Sequence, residues 1–101
     1  MGLDIQLFDG DGNEVCFFEI EQAFHNAIFC DTKNWGSYTY LRKINDYYAP
    51  NIQWRKEELE GFINDLKNYR IHISKDYLPQ LNSLIDRLSD YSIERIHIFG
   101  D

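Results

Sequence analysis

The sequence predicts an α+β fold in which a small antiparallel sheet, formed by an N-terminal hairpin and a C-terminal strand, packs against about four helices. Three observations carry that expectation. Residues 3–8 and 14–20 alternate in character on either side of Asp9-Gly10-Asp11-Gly12-Asn13, with the period of two that a hairpin requires. Between residues 21 and 89 apolar side chains recur instead at steps of three and four. Ile93 to Phe99 then returns to alternation, with Ile96 and Ile98 on one side.

The first strand is expected over Leu3 to Phe8 and the second over Glu14 to Ile20, because Gly and Asn in the linking turn tolerate the positive φ that tight hairpins need. Asp9, Asp11 and Asn13 occupy alternate positions, as ligands do in a calcium loop. The twelfth position is Ile20 where a bidentate Glu is required, and Gly12 comes one residue before the necessary sharp turn, so a plain hairpin is expected.

From Glu21 to Phe29, the residues Ala23, Phe24, Ala27 and Ile28 mark a short amphipathic helix. Tyr40, Leu41, Ile44, Tyr47 and Tyr48 predict a second helix ending near Tyr48, since Pro50 disfavours helical geometry at Ala49. Leu59, Phe62, Ile63, Leu66 and Tyr69 form the stripe of a third, about Trp54 to Tyr69, in which Gly61 costs about 1 kcal/mol relative to Ala and must be held by packing. Arg70 to Ile73 reads either as a short strand or as the exit from that helix. Asp76 is the expected N-cap of a fourth helix with Pro79 in its first turn and Leu78, Leu81, Leu84, Ile85 and Leu88 along one side, reaching about Ser89.

A chain of 101 residues is sized for one domain, 1–101, since domains commonly run to about 100–150 residues. Hydrophobic residues make up 44% and aromatics 16%, enough for a core without covalent staples, so disorder is not expected. Two cysteines, Cys16 and Cys30, are too few for a disulfide scaffold, and no basic apolar leader is read in the opening residues. A cytoplasmic protein with reduced thiols is therefore expected. No apolar run approaches the ~18–20 residues of a membrane span. Met1-Gly2 lacks the Ser or Thr that a myristoylation motif places where Gln6 stands.

Charge is the least even property of the chain. Residues 1–32 carry seven acids, Asp4, Asp9, Asp11, Glu14, Glu19, Glu21 and Asp31, and no Lys or Arg, whereas residues 33–101 carry ten acids and ten bases. The net charge of −7 thus belongs to the first third. Such a field suits a cationic partner. Direct nucleic-acid binding is disfavoured, because phosphate contact needs a Lys/Arg face. An acidic protein can still serve a nucleic-acid enzyme by imitating its substrate's charge.

Several residues invite chemical readings. His72 and His97, each between isoleucines, resemble the acid and base of a metal-independent ribonuclease or hydrolase. If the isoleucines face the core, however, each His faces outward, and no nucleophile, oxyanion site or phosphate cradle lies near either in sequence. Cys16, His25 and Cys30 offer soft metal ligands but lack zinc spacing, so buried thiols and an ordinary helix His are expected, with no metal and no cofactor. Phe17, Phe18, Phe24, Phe62 and Phe99 read most simply as core. Trp35, Tyr38, Tyr40, Tyr47 and Tyr48 crowd one segment, and exposed Tyr and Trp beside acids have the composition of a binding hot spot. The alternative is that they cap the core edge with their polar atoms in water. The candidate partner-binding set is Asp9, Asp11, Glu14, Asp31, Trp35, Tyr47 and Tyr48.

The opening Met-Gly-Leu-Asp-Ile, the Phe24-His25-Asn26 helix and the Glu57-Glu58-Leu59 helix start resemble small bacterial and phage-borne proteins. In size, acidity and aromatic content the chain is similar to immunity proteins that neutralise toxic nucleases, as in contact-dependent growth inhibition systems or the barstar type. The resemblance implies a non-enzymatic inhibitor, a monomer when free, that occludes the active site of a basic cognate toxin. A small phage-encoded or regulatory protein with another basic partner is the next expectation, and a histidine enzyme the last.

Overall fold

The computed structural model describes residues 2–30, 34–44 and 51–100. Four strands, β1 (Gly2–Phe8), β2 (Glu14–Glu21), β3 (Asn51–Arg55) and β4 (Arg95–Gly100), form one sheet in the order β2-β1-β4-β3. Every neighbouring pair is antiparallel. Four helices, α1 (Gln22–Phe29), α2 (Thr39–Lys43), α3 (Lys56–Tyr69) and α4 (Leu78–Leu88), complete the α+β architecture.

The alternation read in the sequence decides which side of the sheet is covered. Leu3, Ile5 and Leu7 of β1, Ile20 of β2, Trp54 of β3 and Ile96 and Ile98 of β4 all point to one side and are buried. There they meet Leu59, Phe62, Leu66 and Tyr69 of α3 and Leu81, Leu84, Ile85 and Leu88 of α4. Burying a side chain of this size contributes about 1.5–3 kcal/mol, so this cluster is the main source of stability. The register is tied to it, because a slip of one residue would turn every one of these side chains to the opposite face.

β3 corrects the expected start of the third helix. Trp54 does not open α3; Ile52 and Trp54 turn toward the core while Asn51, Gln53 and Arg55 turn away, and the chain enters α3 at Lys56 without an intervening loop. Residues 70–73 are not a strand. Arg70–His72 is a single 3-10 turn that leaves Ile71 83% exposed and brings Ile73 into the core. Asp76 is not the cap of α4 either: the Ser74 side chain accepts from the Asp76 N–H, a 3-10 turn covers Lys75–Tyr77, and α4 follows with Pro79 in its first turn. The expected helix from Tyr40 to Tyr48 is described only as α2, and Tyr47 and Tyr48 lie outside the described residues.

The segment between α1 and β3 is fastened by its aromatics. The last carbonyls of α1 have no partner within the helix. Ile28 O accepts from the Tyr69 hydroxyl at 2.7 Å and Phe29 O accepts from Trp35 Nε1 at 2.9 Å. The N–H of Tyr40 donates to the Asp65 carboxylate at 2.9 Å, and its ring packs edge-on against Trp54 and over the bare Cα of Gly61. Gly61 is therefore a point of close approach between α2 and α3.

Candidate interaction surface

The β1–β2 turn is built by Asp9. Its Oδ1 accepts from the backbone N–H of Asp11 at 2.9 Å and of Asn13 at 3.0 Å, while Gly12 takes φ +85°. A side chain that satisfies two backbone donors fixes the turn. Asp9 thus spends its carboxylate inside the hairpin, whereas Asp11 and Glu14 stand exposed beside it.

The acids of the first third are also not without bases in space. A cavity of about 200 Å3 at the hairpin tip is lined by Asp9, Gly10, Gly12 and Glu94 together with Arg55 and Arg95. Arg95 stacks its guanidinium on Phe8, 4.1 Å from the ring centre, and donates to Gln53 at 2.9 Å. Arg87 of α4 reaches β2, donating to Cys16 Sγ at 3.0 Å and standing 5.6 Å from the Phe18 ring. On β2 itself Glu14, Glu19 and Glu21 are all exposed.

No helix among the described residues lies over the other side of the sheet. It carries Val15, Phe17, Glu19 and Glu21 from β2, Asp4, Gln6 and Phe8 from β1, and Arg95, His97 and Phe99 from β4. Phe17, expected in the core, is 48% exposed and Val15 is 51% exposed. Phe99 also faces this side, half-buried, while Phe24 and Phe62 are in the core as expected. His97 bridges three strands, with Nε2 2.7 Å from Asn51 Oδ1 and Nδ1 3.2 Å from Gln6 Oε1.

The other candidates fall elsewhere. His72 lies on the helical side, its Nδ1 3.0 Å from Asn34 Nδ2 and its ring against Tyr38 and Tyr69, so the two histidines stand on opposite sides of the sheet. His25 is buried against Phe29, Cys30 is exposed beside Asn26, and Cys16 is half-buried; among the described residues no group of three or more such side chains is placed to hold a metal ion. Trp35 is tied to Phe29 by its indole N–H and its ring, which gives it a role within the fold. Asp31, Tyr47 and Tyr48 lie outside the described residues.

What the sequence did not reveal was the uncovered edge. Among the described residues β2 is an outer strand, paired on one side only, and a cavity of about 140 Å3 beside it is lined by Phe18, Glu19, Glu21, Phe24 and Gln80. The alternation of Val15, Phe17 and Glu19 with Cys16, Phe18 and Ile20 was the available signal. It separates the two faces of the strand but does not say that the strand lies at an edge. No protein-family model, no curated protein and no solved structure matches this chain.

Proposed function

We propose that this protein is a non-enzymatic binding module, an immunity protein that neutralises a cationic toxin, by class a nuclease, by covering its active site. The observation that carries the reading is the uncovered side of β2, where the half-exposed Val15 and Phe17 stand in line with the exposed Glu19 and Glu21. Apolar residues beside charges of one sign suit a partner that is basic around an apolar contact. The reading sets the protein in the cytoplasm, where thiols such as Cys16 and Cys30 stay reduced.

The test is co-purification from cells that carry the gene, followed by assay of what is retained. A basic protein that degrades nucleic acid alone and stops when this chain is added in equal amount is the expected result. Asp11→Lys/Glu14→Lys should slow association and Glu60→Lys/Asp86→Lys should not; Asp9 is spared because it holds the turn. Clustered surface charges act over roughly 10 Å at about 0.1 M salt, so the association rate should fall as salt rises. Equal effects of the two charge pairs, or indifference to salt, would refute this reading. Capture of a basic protein that is not toxic would instead favour a small regulatory or phage-encoded protein.

A further inference from the structure

We propose that the free edge of β2 receives an extended, cationic segment of the partner as a fifth strand, with its Lys or Arg side chains beside Glu19 and Glu21 on the uncovered side and one apolar side chain entering the cleft between Phe18 and Phe24. This rests on the reading of the chain as a binder of basic proteins and names how the partner is held. The first support is topological. In the order β2-β1-β4-β3, β2 has eight residues and a neighbour on one side only, so its outward backbone N–H and C=O groups have no strand to pair with among the described residues. Extended peptides bind such edges through main-chain hydrogen bonds and are selected by pockets for alternate side chains.

The second support is the cleft. Phe18 and Phe24 supply apolar walls for an alkyl side chain on the helix side, while Glu19, which also lines the cleft, belongs to the uncovered face where the segment's cations would lie. The cleft's volume of about 140 Å3 suits one long side chain and little more. Arg87 already stands beside Phe18, so on the helix side the edge favours an apolar side chain over a second cation.

The third support decides the occupant. β2 contains no Lys, Arg or Pro, and every charge on it, Glu14, Glu19 and Glu21, is negative. A second copy pairing edge to edge would set these carboxylates against their own counterparts, which destabilises cross-strand pairs. A strand carrying Lys or Arg at alternate positions sets them beside Glu19 and Glu21 on the uncovered side, while its intervening apolar residues lie on the helix side beside Cys16 and Phe18.

The experiment uses the whole protein, labelled for NMR, and an eight-residue probe of alternating Lys and Val with blocked ends. Titration should move the amide signals of residues 14–21, of Phe24 and of the Gln80 side chain, and should slow amide exchange along β2. The same peptide N-methylated at its two central residues keeps every side chain but loses backbone donors on both edges, and should bind at least about tenfold more weakly. The exposed substitutions Glu19→Lys/Glu21→Lys should weaken the Lys probe roughly tenfold and create binding of a Glu-Val probe, a gain that misfolding cannot mimic. Shifts mapping away from β2, no shifts at millimolar peptide, or indifference to N-methylation would overturn the proposal. If toxin binding survives Glu19→Lys/Glu21→Lys but not Asp11→Lys/Glu14→Lys, the edge proposal falls and the immunity reading stands; peptide docking without any toxic partner gives the reverse.

Discussion

The ring of Tyr40 occupies the space that a side chain at position 61 would need: a methyl built on Gly61 falls well inside van der Waals contact with the ring. In an exposed helix, Gly→Ala would stabilise by about 1 kcal/mol. Here overpacking, typically 1–3 kcal/mol, opposes that gain. Gly61→Ala should therefore lower the urea midpoint, and in the Tyr40→Ala background it should raise it. The sign change in this double-mutant cycle measures the contact directly.

Tyr69→Phe should cost about 1–3 kcal/mol, because it keeps the ring and leaves the buried Ile28 carbonyl without the hydroxyl that it accepts from. Trp35→Phe removes the matching donor to Phe29 at a half-buried site and should cost less. Thermal unfolding of both variants ranks them. An equal or inverted ranking would show that the end of α1 finds other donors.

The hairpin turn predicts a separation between charge and structure. Asp9→Ala loses the acceptor of two backbone N–H groups and should destabilise by about 1–2 kcal/mol, whereas Asp11→Ala should fall within about 0.5 kcal/mol of the parent. Gly12→Ala places a side chain at φ +85° and should cost about 1–2 kcal/mol. Equilibrium denaturation of the three proteins tests this.

One pH effect follows from the turn after α4. Asp90 Oδ1 accepts from the Ser92 backbone N–H at 2.9 Å and from its hydroxyl at 2.8 Å, and these bonds hold its carboxyl below the ordinary value of 3.8. A carboxyl whose pKa is lower folded than unfolded stabilises fully above the unfolded value. That contribution disappears as pH falls from about 3.8 through the folded value. Asp90→Asn should thus narrow the difference in denaturation midpoint between pH 7 and pH 3. An unchanged difference would mean that the turn persists without the charge.

Most of the fold was legible because most of its elements repeat. β1, β2 and β4 alternate, α1, α3 and α4 carry apolar stripes, and burial follows those periods. β3 was not legible, because five residues with Ile52 and Trp54 inward run straight into Lys56, and no turn residue marks where a period of two becomes 3.6. The site was legible only in part. The excess of acid could be counted, but Asp9 turned out to be a turn residue, and Arg55, Arg87 and Arg95 approach the hairpin only through strand pairing and helix packing. Linear charge asymmetry survives as surface asymmetry on the uncovered side of β2, opposite the side that Arg87 reaches.

The sheet order also sets a timetable for folding. Gln6 and His97, neighbours across β1 and β4, are 91 residues apart in the chain, whereas the β1–β2 hairpin is local and can close in about 1–10 μs. Strand pairs of such long separation form slowly, because loop closure must precede their reward. For that interval β1 has a bare edge beside the apolar Leu3, Ile5 and Leu7, the species from which aggregation starts. The hairpin contains no Lys or Arg of its own, so at that stage its acids repel other hairpins unopposed, and only when β4 docks does Arg95 arrive to stack on Phe8. The negative charge proposed to serve recognition in the finished protein would also keep nascent copies apart until the sheet is complete.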